Sequence, residues 1–295
     1  MNRFLRFLGR TTGQMMAWTL SVLPDSATQV LGRFLAFLWV DVFSIRKDVV
    51  YSNIDIAFPG TPVETKKIWM RKRLEVLCRS FFDVLKIPSV HPQWIEKNVI
   101  FHGLENIENP QAGILFMSLH MASGDLAAAA FSEKIKPLSL ISKRFKNPFL
   151  DELWFSVRTK SKTEFIDAHG KSNAFDILKA LRKNRGLVFV VDQFMGKPFG
   201  VETQFFGQTT GSAYGLALFA QKTKAPVHPL WTFWDEKNKL NICIEPRIDF
   251  ISKLTDDLER NNVVLTNIFN QQIENIIRKK PEQWMWVHRR WKVFE

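Results

Sequence analysis

The chain has 295 residues, 46% of them hydrophobic, enough to bury the core of one large α/β domain. A formal charge of +12 and a pI near 9.7 call for an acidic partner, whether anionic lipid, an acidic carrier protein or nucleic acid. Phenylalanine (26) and tryptophan (10) outnumber tyrosine (2), which suits a lipid-facing surface more than a base-reading one, while two distant cysteines, Cys78 and Cys243, argue against a disulfide scaffold or a zinc site.

The amino terminus reads as membrane-associated. Arg3, Arg6 and Arg10 alternate with Phe4, Leu5, Phe7 and Leu8, and residues 15–23 are apolar up to Pro24. No small-x-small cleavage pattern follows, so Pro24-Asp25-Ser26 reads as a turn and helix cap. Residues 27–43 carry Leu31, Phe34, Leu35, Phe37, Leu38 and Trp39 but are broken by Arg33 and Asp41, too short and too charged for a span. The pattern predicts two interfacial helices that dip into one leaflet, with an ordinary amphipathic pair packed on the core as the alternative. Arg46, Lys47, Lys66, Lys67, Arg71, Lys72 and Arg73 continue the positive character, which favours the cytoplasmic face. Residues 1–45 are thus expected to form a membrane-associated helical segment, and residues 46–295 an α/β domain.

Further along, residues 113–119 read as a buried strand and residues 126–131 as the start of an alanine-rich helix. His120 then sits at the strand's carboxyl end, the edge where α/β sheets bind ligands. Asp125, in the first helical turn, is favoured by the helix dipole and placed to accept a proton from one imidazole nitrogen, leaving the other as a base. A buried histidine beside a capping aspartate is the alternative. His91 and Glu96 share the spacing but follow no strand, and His91 reads as a surface turn and helix start. Context, not spacing, singles out His120.

Alternation continues with a strand at 137–141, a helix at 147–158, a strand at 164–166 and a helix at 172–183. A β-branched strand at 187–191 delivers Asp192 and Gln193 into a loop with Gly196, Pro198 and Gly200. A helix at 212–222 and strands at 227–233 and 240–244 complete a mostly parallel central sheet flanked by helices. Asp125 and Asp192 both fall past strand ends.

The chain resembles the late acyltransferases of lipid A biosynthesis, within the larger lysophospholipid acyltransferase superfamily. The resemblance runs from Leu23-Pro24 and Asn-Ile-Asp-Ile-Ala-Phe-Pro at 53–59, through the block from His120 to Asp125, Asn147-Pro148, Arg158, Asp192-Gln193, Phe205-Phe206-Gly207, Thr210-Gly211 and Pro229. It closes on Pro-Glu-Gln-Trp-Met-Trp-Val-His-Arg-Arg-Trp-Lys at 281–292. The first motif departs from many members, which carry Gly and Trp-Glu where this chain has Ser123-Gly124-Asp125.

The resemblance implies acyl transfer from an acyl carrier protein, or acyl-CoA, to a hydroxyl of an anionic lipid acceptor at the cytoplasmic leaflet of a bacterial inner membrane, without a cofactor or metal. His120 oriented by Asp125 supplies the base that a poorly nucleophilic hydroxyl needs. Arg158 matches the family arginine and is expected to meet the oxyanion, while Asp192, with Gln193 beside it, orders the acceptor or a neighbouring arginine. Lys143 and Arg144 are candidates for acceptor phosphate, with a solvated surface pair as the alternative. His288, Arg289 and Arg290, flanked by Trp284, Trp286 and Trp291, are expected to touch substrate or membrane. Ser123 lies in no Gly-x-Ser-x-Gly elbow, so no acyl-enzyme is expected. A Kdo-bearing lipid A precursor is the first acceptor; a lysophospholipid, a glycolipid or lyso-ornithine lipid stays open. A thioester hydrolase and a non-catalytic basic protein are the rival classes, and no nucleic-acid module is recognisable.

Overall fold

A computed structural model of the chain describes residues 2–24, 26–109 and 111–295. Asp25, in the expected turn after Pro24, lies outside the described residues. The chain opens with five helices, α1 (Asn2–Ser21), α2 (Ala27–Phe37), α3 (Lys47–Ala57), α4 (Val63–Leu85) and α5 (Pro92–Asn98), and α2 continues into a π-helical turn, Leu38–Val42. Strands and helices then alternate: β1 (Val99–His102), β2 (Ile114–Ser118), α6 (Gly124–Lys134), β3 (Leu138–Ser142), α7 (Pro148–Arg158), β4 (Glu164–Asp167), α8 (Asn173–Arg182) and β5 (Gly186–Val190). A hairpin of β6 (Gly200–Phe205) and β7 (Gln208–Ala213) precedes α9 (Gly215–Thr223), β8 (Val227–Trp234), β9 (Leu240–Ile244) and α10 (Leu258–Lys279).

Seven strands form the central sheet in the order β1-β9-β8-β2-β5-β3-β4. β8, β2, β5, β3 and β4 are parallel, and β9 turns back antiparallel to β8 with β1 alongside it. The fold is therefore α/β with a mostly parallel sheet, as the alternation predicts. β2 is apolar from Ile114 to Met117 because both its faces are covered: Leu115 and Met117 enter the core built with α9 and α10, while Ile114 and Phe116 enter the one built with α6. Helix starts follow local chemistry, as where the Asn147 side chain accepts the amides of Phe149 and Leu150 ahead of Pro148 at the first helical position.

One expected element is different. Ser212 and Ala213 do not begin the helix expected at 212–222; they end β7, which pairs antiparallel with β6, and α9 starts only at Gly215. Phe206 and Gly207 both have positive φ, 50° and 72°, the backbone of a two-residue hairpin turn whose twist matches the strands. Thr209 and Thr210 after it favour a strand, and Thr203, Ser212 and Asn270 bond one another beneath it. β1, α4 and α10 are left unassigned by the sequence reading.

The two amino-terminal helices pack onto the rest of the chain. α1 crosses α7 so closely that a Cβ on Gly9 would lie 2.2 Å from the Phe149 carbonyl oxygen and one on Gly13 2.5 Å from that of Leu153. Arg6 and Arg10, expected at lipid headgroups, instead reach Glu152 of α7, at 3.2 and 3.1 Å. The other side of α1 leaves Phe4, Phe7, Met15 and Trp18 exposed, and α2 and its π turn leave Phe34, Phe37 and Phe43 exposed. Among the described residues no single helix is long and apolar enough to cross a membrane; Ala27–Val42 and Lys47–Ala57, bent by 94°, pass that test only as a pair.

Candidate active site

β2 and β5 lie side by side and parallel, with Ser118 opposite Val190. Two residues beyond each, the chain leaves the sheet at His120 and Asp192, so register alone brings these side chains together. His120 Nδ1 stands 2.7 Å from Asp192 Oδ1, and the His120 backbone amide donates to Oδ2 at 3.0 Å. The Trp284 indole N–H also donates to Oδ2, at 2.8 Å. Burial alone would push the Asp192 carboxyl up, but the neighbouring imidazole and these hydrogen bonds outweigh it and hold the group down to about 2. An ionised carboxylate only accepts, so Nδ1 donates to it, and in the neutral ring Nε2 is then the nitrogen with the lone pair. The His120 side chain stays 34% exposed, enough for a substrate to reach it.

The acid on the imidazole is thus Asp192, not the expected Asp125. Asp125 accepts from Arg158 Nε at 2.9 Å and Nη2 at 2.5 Å. The reason is the demand of a buried cation. Arg158 ends α7 at 6% exposure, against the rings of Phe155 and Phe165, and a guanidinium in such a place needs a carboxylate. Its remaining nitrogen donates to Ser142 Oγ at 3.0 Å. Each nitrogen carries one hydrogen bond, and Arg158 with Asp125 lines the same cavity as His120.

The other candidates separate. Gln193 and Lys143 line the same cavity as His120. Arg144 does not: it binds Asp151 at 2.6 Å, stacks on Phe155 and lines a groove between α1 and α7 with Arg10. Arg289 is exposed, but Arg290 is wholly buried, donating to the Gly211 carbonyl at 2.7 Å and to Ser212 Oγ at 2.6 Å. Arg290 therefore pins the β6–β7 hairpin and cannot touch a membrane. His288 lies behind the pair, its Nε2 accepting the Phe194 amide at 3.2 Å, and burial lowers its proton affinity. The Ser123 hydroxyl donates to the buried Asp83 carboxylate and accepts the Trp234 indole N–H, so it braces the loop. That bracing matters because Ala122, one residue before, has φ +41°, a strained conformation for a residue with a Cβ.

Sequence reasoning missed Asp83 and the hydrogen bond of Trp284, and it grouped Arg73, which is buried and bonded to the Gln283 carbonyl, with the basic residues of the cytoplasmic face. Asp83 and Arg73 lie inside an unassigned helix with no local signature, whereas Trp284 stands in the carboxy-terminal aromatic block that carries the resemblance.

A cavity of about 500 Å³ runs inward from His120. Lys143, Gly124 and Phe81 are exposed at its rim, while Ala127, Ala128, Phe131, Leu138, Val188, Leu230 and Ile242 form its buried apolar wall. Alanine at 127 and 128 leaves room between α6 and the sheet. The first turn of α6 (Gly124, Asp125 and Leu126) also lines the cavity, and its amino terminus has no side-chain cap.

The family model described as bacterial lipid A biosynthesis acyltransferase matches residues 2–293. A lipid A biosynthesis acyltransferase of Haemophilus influenzae is 24% identical, over 80% of this chain and 72% of that protein. The lipid A biosynthesis lauroyltransferase of Escherichia coli is 24% identical over 93% of this chain and 88% of its own length, and the myristoyltransferase of the same organism 21% identical over 87% and 77%. The crystal structure of the 1-acyl-sn-glycerophosphate acyltransferase of Thermotoga maritima covers 84% of this chain and 95% of its own, with 12% identity and a TM-score of 0.38.

Proposed function

This chain belongs to the bacterial lipid A biosynthesis acyltransferase family, and from that premise we propose that it moves a fatty acyl group from acyl carrier protein, or from acyl-CoA, to a hydroxyl of a lipid A precursor. The observation that carries the reading is the His120–Asp192 pair on a cavity of about 500 Å³ whose inner wall is apolar, room for a hydrocarbon chain.

In this reading the acyl chain lies along Ala127, Ala128 and Leu230, with its thioester carbonyl near His120. Nε2 takes the proton of the acceptor hydroxyl as the oxygen attacks that carbonyl. Negative charge grows on the carbonyl oxygen beside the uncapped first turn of α6, whose N–H groups favour it. The intermediate collapses by breaking the carbon–sulfur bond, and the imidazolium returns the proton to the thiolate. Ester and free thiol are the products. Asp192 keeps the imidazole in the required tautomer and offsets its charge while protonated.

The exposed aromatic residues of α1 and α2, with Arg3 and Arg33 beside them, support docking on the cytoplasmic leaflet, where apolar insertion and headgroup attraction add. The acceptor's negative charge would meet Lys143 at the cavity rim.

Purified protein in mixed micelles with lauroyl-, myristoyl- or palmitoleoyl-acyl carrier protein and a Kdo-bearing lipid A precursor is expected to give ester product. Free fatty acid alone would mean hydrolysis, and no product from any pair would remove the acyl transfer reading. The cavity makes a second expectation. Ala128→Phe should fill the space beside Phe131 and lower kcat/KM for the longest accepted chain tenfold or more relative to a shorter one. An unchanged order of donors, in protein of normal Tm, would place the acyl chain elsewhere.

A further inference from the structure

Asp192 receives three hydrogen bonds, and two come from His120 itself. The third comes from Trp284, which is 1% exposed and lies on the carboxy-terminal segment next to the loop that bears the base: its backbone bridges that of Met121, the residue after His120. This segment is held from several directions. Arg73 of α4 donates to the Gln283 carbonyl at 2.9 Å, and the Gln283 side chain bonds both the amide and the carbonyl of Trp234. Asn53 of α3 donates to the carbonyls of Trp286 and His288, each at 2.7 Å. Trp284 packs edge-on against Trp286 and beside Phe205 and Trp291. A phenyl ring would serve that packing. Only an indole also brings a donor, and a buried indole N–H must be satisfied.

We propose that Trp284 is a positioning residue of the acyl transfer: its N–H fixes the Asp192 carboxylate and tempers its basicity, and so governs how tightly the pair holds the proton taken from the acceptor. This rests on His120 acting as the base. A carboxylate loses proton affinity with each donor it accepts, and a less basic carboxylate binds imidazolium less tightly. The other charged or titratable groups facing Asp192 are Arg73 from α4 and His288 and Arg290 from the carboxy-terminal segment. Both guanidiniums stay charged through the range in which a histidine titrates, so they set a constant field. The Nε2 of His288 is taken by the Phe194 amide, which favours its neutral form.

The test compares Trp284→Phe with replacement of the Trp284 indole by a benzothiophene of the same shape, which has sulfur in place of the N–H. In both, the acid limb of kcat/KM against pH for lauroyl-acyl carrier protein is expected to move up by about one pH unit, with KM little changed and most of the plateau kcat kept. An unmoved limb in the benzothiophene protein overturns the proposal, whatever the phenylalanine variant does, because packing alone then accounts for the residue. Loss of activity at every pH in that protein, with normal Tm, overturns it too. His120→Ala, assayed alongside, separates the two levels: activity retained there defeats the base itself, whereas an inactive His120→Ala with an unmoved limb in the Trp284 proteins defeats only the role of Trp284.

Discussion

Asp192→Asn is expected to lower kcat by up to about 10⁴-fold, the cost of the wrong imidazole tautomer in a histidine–carboxylate pair. The direction follows from the bonds around the group. The His120 amide and the Trp284 indole both donate to Oδ2, so an asparagine must keep its oxygen there. Its NH₂ then faces Nδ1, which has to accept, and the proton moves to Nε2, where a base is needed. Asp125→Asn gives the contrast. It weakens the clasp on Arg158 and leaves the imidazole untouched, so its loss should be smaller by tenfold or more. Kinetics of the two purified variants decide the matter, and a more damaging Asp125→Asn would restore Asp125 as the orienting acid.

His120→Ala should cost at least about a hundredfold in turnover, since Asp125, the carboxylate that also lines the cavity, is held by Arg158. The fold should survive. The backbone amide of residue 120 and the Trp284 indole still donate to Asp192, and the Arg73 and Arg290 guanidiniums remain nearby, so the carboxylate keeps partners in its buried place. Product formation and Tm, measured on the same preparation, separate a chemical loss from a folding loss. Near wild-type rates with acyl carrier protein thioester would dismiss His120 as the base.

Much of this protein is legible in its amino acids because the signals are local. The apolar run ending at His120, the Asn147-Pro148 start of α7 and the β-branched run before Asp192 each lie within a few residues, and each forms the element it predicts. The blocks from His120 through Arg290 likewise place the chain in its family. Which acid meets the base is a different kind of question. His120 and Asp125 are five residues apart and His120 and Asp192 are 72 apart, yet the longer pairing forms, because β2 neighbours β5 in the sheet and their parallel register sets position 120 beside position 192. Arg158 completes the exchange from a helix 33 residues beyond Asp125, claiming that carboxylate for a charge with no water to spare. Arg290 is expected at substrate or membrane and is buried under the β6–β7 hairpin, whose own turn depends on two positive φ angles. Periodicity and capping are written within one element. Strand order, register and the pairing of buried charges depend on how distant elements cover one another's apolar faces, and only the folded chain decides them.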